Sequence, residues 1–308
     1  MKKIVIAEPL GIASELLHSF IEDFTPSEYY FTFHDTKPDN QEELGNRIAD
    51  ADIVVIANYP LSSAALKKAS HLEYICIAFT GVDHVDIDYC KSNHIQVSNC
   101  KGYSTTSVSE LVFGLIISLY RKIKSCNPSQ STFTGLEISG KKFGIIGTGA
   151  IGMQTALLAE AFGADIYGYS RTPDKAGIKY LPLNELLQTC DIISIHTPLN
   201  RDTEYMIGEK ELSLMKETAI LINTARGKII DNAALAAALT NHLIAGAAID
   251  VYETEPPVPQ THPLLTATNV ILTPHIGFNT KEALIRRAKI VFDNIKSWNK
   301  GEQKNIIC

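Results

Sequence analysis

Gly147, Gly149 and Gly152 stand in the segment Phe143-Gly-Ile-Ile-Gly147-Thr148-Gly149-Ala150-Ile151-Gly152, where a short apolar run turns on glycines into a helical pattern. That spacing suits one local fold: a strand, a tight turn and a helix. The first glycine permits the turn, the second lets the backbone approach a pyrophosphate, and the third lets helix pack on strand. The unpaired N–H groups of the helix's first turn then face the phosphates. Such a turn opens a dinucleotide-binding unit, yet about 140 residues precede it here. A second folded unit must therefore exist. The 308 residues suffice for two domains, and a hydrophobic fraction of 45 % is ample for two cores.

Short β-rich runs alternate with helical patterns along the whole chain. Before the glycine turn they are Lys3–Ala7, Tyr30–Phe33, Ile53–Ile56, Tyr74–Ala78 and Gln96–Ser98. From the turn onward they are Gly144–Ile146, Asp165–Tyr169, Ile192–Ile195, Ala219–Ile222, Ala245–Ile249 and Val270–Leu272. Strands spaced by helices imply parallel, doubly wound α/β sheets. A single sheet of about eleven strands would be unusually wide, so the runs divide into two domains. The helical segment Ser107–Lys124 follows a Ser/Thr cluster, ends in basic residues before Asn127-Pro128, and carries the chain from one domain to the other. A second amphipathic segment, Lys281–Trp298, has too little chain after it to build a domain and is expected to pack on the first. The expected division is 1–100 with 281–308, and 101–280.

Formal charge −6 argues against nucleic acid or an anionic membrane as the main partner, because both demand basic surface. The run Ile4–Ala7 is too short for a signal segment, and Leu111–Tyr120 is too short to span a bilayer. The cysteines Cys76, Cys90, Cys100, Cys126, Cys190 and Cys308 lack C-x-x-C spacing, as expected of reduced cytoplasmic thiols. No metal site is suggested. The remaining expectation is a soluble protein with a small-molecule ligand.

Two features refine that ligand. A dinucleotide unit that takes NAD usually places Asp or Glu at the end of its second strand, on the ribose hydroxyls. Here Tyr169 is followed by Ser170-Arg171-Thr172, while Asp165 lies at the wrong end of the strand. Without a carboxylate to repel a 2′-phosphate, and with a guanidinium and hydroxyls to bind one, NADP(H) is expected over NAD(H). Further polar groups follow later strands: Arg226 in Asn223-Thr224-Ala225-Arg226-Gly, Asp250 and Glu255 in Asp250-Val-Tyr-Glu-Thr-Glu255-Pro-Pro, and His275 in Thr-Pro-His275-Ile-Gly277. Singly, each has a plain structural reading: a surface salt-bridge partner, a loop charge, a satisfied buried histidine. Together they form a donor fork for a carboxylate, a proton donor, and a carboxylate to keep that donor charged. Reduction of a 2-oxo acid needs that set.

These blocks, with Gly81-Val-Asp-His84-Val-Asp86, the stretch Asn99 to Glu110, and Asp191 to His196-Thr197-Pro198-Leu199, resemble the D-isomer-specific 2-hydroxyacid dehydrogenases nearly end to end. The resemblance implies a Rossmann nucleotide domain inserted into a flavodoxin-like substrate domain, with catalysis in the cleft between them. It implies that Arg226 binds the substrate carboxylate and polarises the keto oxygen, that His275 passes a proton to that oxygen, and that Glu255 hydrogen-bonds His275 and raises its pKa. Asp250 matches an acid near the nicotinamide, where cofactor positioning is its expected role. His196, Thr197, Pro198, Thr224, Ala225 and Gly277 match the cofactor wall, which makes His196 the second-ranked histidine. The Thr80-Gly81 amides match the turn that holds the substrate carboxylate, and His84 serves structure beside it.

Two departures from the family follow. Ser170-Arg171 replaces the acid of NAD-using members, and the segment Ser125–Lys142 is short and lacks a Trp, so a dimer contact there would differ. A homodimer is still expected. Substrate choice should depend on Asn58-Tyr59-Pro60, Thr80 and Lys101-Gly-Tyr103, where Tyr59 and Tyr103 would cover a small substrate or bond its hydroxyl. The leading expectation is an NADPH-linked glyoxylate or hydroxypyruvate reductase. The alternatives are a dehydrogenase of a bulkier 2-hydroxy acid or of 3-phosphoglycerate, and a nucleotide-sensing corepressor-like protein.

Overall fold

The computed structural model describes all residues except 125, 127, 128 and 130–132. The Asn127-Pro128 stop and part of the segment 125–142 lie outside the described residues. Among the described residues, twelve strands form two all-parallel sheets of five and seven. Two compact units result: residues 1–104 with 280–308, and residues 105–279 inserted between them.

In the first unit the strands are β1 (Lys2–Ile6), β2 (Tyr29–Phe33), β3 (Ile53–Ile56), β4 (Tyr74–Ile77) and β5 (Gln96–Asn99). Their spatial order is β2-β1-β3-β4-β5, the flavodoxin-like winding, which reverses direction between β1 and β3. Every residue of β3 and β4 is buried, as expected of a parallel sheet covered on both faces. The last helix, Lys281–Asn299, belongs to this unit. Its Phe292 sits among Phe20, Phe24 and Phe31, and its Trp298 stacks on Tyr74 at 4.8 Å while donating to Gln96 at 2.6 Å. Beyond the helix, Asn305 to Cys308 run antiparallel along β5: Val97 N–H donates to the Cys308 carbonyl at 2.9 Å and Ile307 N–H to the Val97 carbonyl at 2.7 Å. The open edge of the sheet is thereby covered.

The second unit holds β6 (Lys142–Ile146), β7 (Asp165–Tyr169), β8 (Lys179–Tyr180), β9 (Ile192–Ile195), β10 (Ile220–Asn223), β11 (Gly246–Ile249) and β12 (Val270–Leu272). The order β12-β11-β10-β9-β6-β7-β8 is the Rossmann winding with one strand added. Alternate residues feed two cores. Ile145, Ile192, Ile220, Ile222 and Ala248 face the helices Thr105–Tyr120 and Ala150–Ala161. Ile146, Ile193, Leu221, Ala247 and Ile249 face the other side, with Leu186, Leu212 and Leu235. Period-two alternation with apolar residues on both faces makes these strands read as continuous hydrophobic runs. Among the described residues no helix is long and apolar enough to cross a membrane.

Candidate active site

The glycine turn leaves β6 with Gly147 at φ +97°, where a side chain would meet the His196 carbonyl at 2.7 Å. At Gly152 an added Cβ would lie 2.0 Å from the Gly147 carbonyl oxygen, so the helix can start only over a glycine. Gly149 differs: nothing lies within 4 Å of the Cβ it lacks. It is also the first cap of the helix Ala150–Ala161, with no side-chain cap bonding the leading N–H groups. Open space in front of uncapped helix amides is what a pyrophosphate requires, so the residues present fit a dinucleotide.

The parallel register puts the start of β7, Asp165, beside Lys142 and its end, Tyr169, beside Ile146 at the turn. Asp165 is therefore remote from the phosphate end. Ser170, Arg171 and Thr172 follow the correct end, and Arg171 is exposed with no hydrogen bond or ion pair to any described residue. The nearest following carboxylate, Asp174, is paired with Lys175 at 3.0 Å.

Three loops at the ends of β10, β11 and β12 interlock. Asn223, wholly buried, donates to the Arg226 carbonyl at 2.9 Å and accepts from Ala225 N–H at 3.0 Å, fixing the turn that presents Arg226. Gly227 then lies against the Tyr252 backbone, so closely that a Cβ would come within 1.9 Å of its carbonyl carbon. The Tyr252 hydroxyl donates to the Thr273 carbonyl at 3.0 Å. Asp250 completes the clamp. One oxygen accepts from the Thr273 hydroxyl at 2.6 Å and Ile276 N–H at 2.8 Å, the other from Gly277 N–H at 2.8 Å. Burial raises its pKa against those bonds. All of these carboxylate bonds go to the turn that carries His275, which the sequence alone did not disclose.

His275 itself has φ +56°, a left-handed backbone uncommon for a residue with a side chain. Its Nδ1 lies 2.9 and 2.8 Å from the two Glu255 oxygens, and Phe278 meets its ring edge-on at 5.2 Å. The imidazole is 10 % exposed and the carboxylate 48 %, so the pair sits at a boundary with solvent. Thr224, also in the expected cofactor wall, is buried with its hydroxyl unpartnered.

In the first unit, the expected substrate residues follow β3 and β4. Tyr59 N–H and Ala57 N–H both donate to one oxygen of Glu8, at 3.0 and 2.7 Å; this carboxylate is 1 % exposed, and burial raises its pKa. Thr80 accepts from Asn99 at 2.7 Å through its carbonyl, and both Thr80 and Gly81 are partly exposed. Tyr103 differs from the expectation that it covers substrate. Its ring is 1 % exposed, packed against Phe79 at 6.0 Å and beneath the Arg287 guanidinium at 5.8 Å. Phe79 and Arg287 pack the ring within the first unit.

Residues 113–277 match the family profile described as D-isomer specific 2-hydroxyacid dehydrogenase, NAD binding domain. The chain is 33 % identical over 285 residues to a glyoxylate reductase of Korarchaeum cryptofilum, covering 87 % of this chain and 86 % of that one. The chain belongs to the D-isomer-specific 2-hydroxyacid dehydrogenases. These enzymes act on CH–OH donors. A D-3-phosphoglycerate dehydrogenase of Methanocaldococcus jannaschii is 38 % identical over 85 % of this chain, which spans about half (52 %) of that relative's length. Among solved structures, an acyclic imino acid reductase in complex with NADPH and D-Arg superposes with a TM-score of 0.90 at 33 % identity, covering 99 % of this chain and all of that one.

Two other histidines of this dehydrogenase test the assignment of the acid. His196 bonds Ser194 through Nε2 at 2.9 Å, and burial pushes its pKa down to about 3, so it stays neutral near pH 7. His262 makes a second carboxylate pair that the sequence reading missed, with Glu253 at 3.0 Å. Its Nδ1 accepts from Leu264 N–H at 3.4 Å, so both ring nitrogens are committed within the fold. Glu255 engages His275 through Nδ1.

Proposed function

We propose that this dehydrogenase interconverts a 2-oxo acid and the D-2-hydroxy acid, with NADPH preferred, as a reductase of the glyoxylate or hydroxypyruvate type. The observation that carries the reading is His275 held through Nδ1 by both oxygens of Glu255, on a turn locked to the Arg226 loop. The carboxylate accepts from Nδ1–H and fixes the ring's orientation, which directs Nε2 to the substrate oxygen. Arg226 offers a planar fork to the substrate carboxylate and the keto oxygen. The nicotinamide, when bound, supplies the hydride. Asp250 keeps the His275 turn in place, and Gly147, Thr148, Gly149, Ala150, Ile151 and Gly152 hold the pyrophosphate. On the same reading the Thr80-Gly81 turn and Tyr59 serve the substrate, residues 1–104 and 280–308 forming its unit and 105–279 that of the dinucleotide.

NADPH is supported by Arg171, exposed and unpaired beside Ser170 and Thr172, and by the NADPH of the imino acid reductase complex. The same neighbour favours a second reading, in which the reduced bond is C=N, formed from a 2-oxo acid and an amine. A homodimer and a reducing, cytoplasmic compartment complete the proposal. Exposed Ile123, Phe133 and Leu136 and six unpaired cysteines support them.

Purified protein given NADPH or NADH with glyoxylate, hydroxypyruvate, bulkier 2-oxo acids or 3-phosphohydroxypyruvate, each with and without an amine, tests this directly. Turnover should require a 2-oxo acid, favour NADPH, and fall about 10²- to 10⁴-fold in His275→Gln with dinucleotide affinity kept. Turnover only with amine present supports the second reading. No turnover with any pair overturns both and leaves a nucleotide-sensing binding protein.

A further inference from the structure

The loop that carries Ser170, Arg171 and Thr172 has few anchors. From Arg171 to Gly177 every residue is exposed, and no backbone hydrogen bond ties residues 170–178 to the rest of the unit. Within the loop, Thr172 N–H donates to the Ser170 hydroxyl at 3.3 Å and Lys175 pairs with Asp174. One side chain joins it to the phosphate turn. The Tyr180 hydroxyl accepts from Lys175 N–H at 3.3 Å and donates to the Thr148 hydroxyl oxygen at 3.0 Å.

The fold makes room for that contact. Tyr180 lies opposite Gly168 in the β7–β8 pairing. A Cβ on Gly168 would sit 3.3 Å from the Tyr180 ring, 3.3 Å from the Thr148 methyl and 2.5 Å from Ile178. A glycine in mid-strand, costly in entropy, is what lets these three side chains converge. Thr148 is buried and stands between Gly147 and Gly149. Because its oxygen accepts from Tyr180, its own hydroxyl proton stays available to donate elsewhere.

We propose that Tyr180 is a positioning residue for the adenosine half of the dinucleotide, its hydroxyl setting the distance between the phosphate turn at Thr148 and the loop bearing Arg171. The inference rests on the dinucleotide reading of the glycine turn but not on the preference for NADPH. When the hydroxyl is lost, Arg171 is no longer held at a fixed reach from the pyrophosphate, and discrimination at the ribose 2′ position weakens.

Tyr180→Phe removes the hydroxyl and keeps the ring. The expected result is a rise of about 3- to 10-fold in Kd and KM for the preferred dinucleotide, the worth of one or two neutral hydrogen bonds, with the loss confined to KM rather than kcat. The ratio of kcat/KM values for NADPH and NADH should move several-fold toward unity. Thr148→Val should raise Kd at least as much, and the double variant should fall short of the sum of the singles, because the Tyr180–Thr148 bond is lost in both. A purely structural role predicts a lower Tm with unchanged Kd and ratio, and that result overturns the proposal, as does additivity in the double variant. If the wild type prefers NADH, the NADPH reading fails while Tyr180 is still judged by Kd for NADH.

Discussion

The interlock of the three strand-end loops is tested most sharply at Gly227, by Gly227→Ala. The added methyl would lie 1.9 Å from the Tyr252 carbonyl carbon, 2.1 Å from its oxygen and 2.4 Å from its Cα. All three are backbone atoms, so no side chain can rotate away. From 1.9 Å to the 3.4 Å at which contact becomes ordinary is a separation of 1.5 Å, and backbone must move to provide it. Tyr252 resists, since its hydroxyl is bonded to the Thr273 carbonyl and Asp250, two residues earlier, is bonded three times to the His275 turn. The strain therefore falls between Arg226, adjacent to the substitution, and His275. Overpacking of this kind costs about 1–3 kcal/mol, less about 0.4–1 kcal/mol recovered from the stiffer unfolded chain. A displacement of about 1 Å between catalytic groups costs about 10²-fold in rate. We expect kcat/KM for the 2-oxo acid to fall about 10²-fold, or about 2.7 kcal/mol of transition-state stabilisation, with Tm lowered by a few degrees and dinucleotide Kd little changed. Steady-state kinetics, thermal unfolding and dinucleotide titration measure the three quantities. Wild-type kcat/KM and Tm together would refute the interlock; a loss in Kd equal to that in kcat/KM would show that the damage lies in the nucleotide fold.

Gly114→Ala is the matched contrast: the site is exposed within the helix Thr105–Tyr120 with nothing within 4 Å, so Tm should rise, by the equivalent of about 0.5–1 kcal/mol of helix propensity, with kinetics unchanged. His196→Gln should leave the shape of the pH–rate profile between about pH 5 and 8 intact, because a group with a pKa near 3 does not titrate there; a displaced limb would implicate His196 as the acid. Glu8→Gln should gain in Tm over wild type as pH rises. Glu8 in the fold is held above the ordinary 4.5, so its contribution is full below that value and lost as pH climbs through the folded pKa, whereas a glutamine oxygen can still accept from Ala57 and Tyr59 N–H with no charge buried. A difference that shrinks with pH refutes that account.

Strands such as Ile53–Ile56 and Ile192–Ile195 were legible because runs of four buried residues, all β-branched in the first and three of four in the second, carry their own evidence of burial on both faces. The two-residue β8 was not, for Lys179–Tyr180 is shorter than any periodicity and owes its pairing to Gly168. Nor was the pairing of Ile307 with Val97, which no local pattern announces. Arg226, Glu255 and His275 stood out as polar groups just past apolar runs. Asn223, Tyr252 and Asp250 did not stand out as their supports, because what each does depends on a partner on another strand. Tyr103 misled for the same reason. An aromatic residue in a polar loop reads as a cover for substrate until Arg286, from a helix 183 residues on, donates to its carbonyl at 2.9 Å while Arg287 lies over its ring.

Register explains how residues so far apart in sequence come to stand at one edge of the sheet. Asn223 lies beside Ile249, and Ile249 beside Leu272, so β10, β11 and β12 end in one row. Arg226 stands three residues past the first member of that row and His275 three past the last, on loops that flank the one leaving β11. The middle loop, from β11, supplies Asp250 and Tyr252 to fix its neighbours and then Glu255 to pair with His275. A parallel sheet delivers every strand in the same direction, so each loop of the row emerges at the carboxyl edge. The positions of the three polar groups thus follow from strand pairing and loop length, while the clamp by Asp250, Tyr252 and Gly227 sets their separation. On the proposed reading the chemistry falls to three side chains, and what fixes their loops to one another is a glycine, a tyrosine hydroxyl and a buried carboxylate.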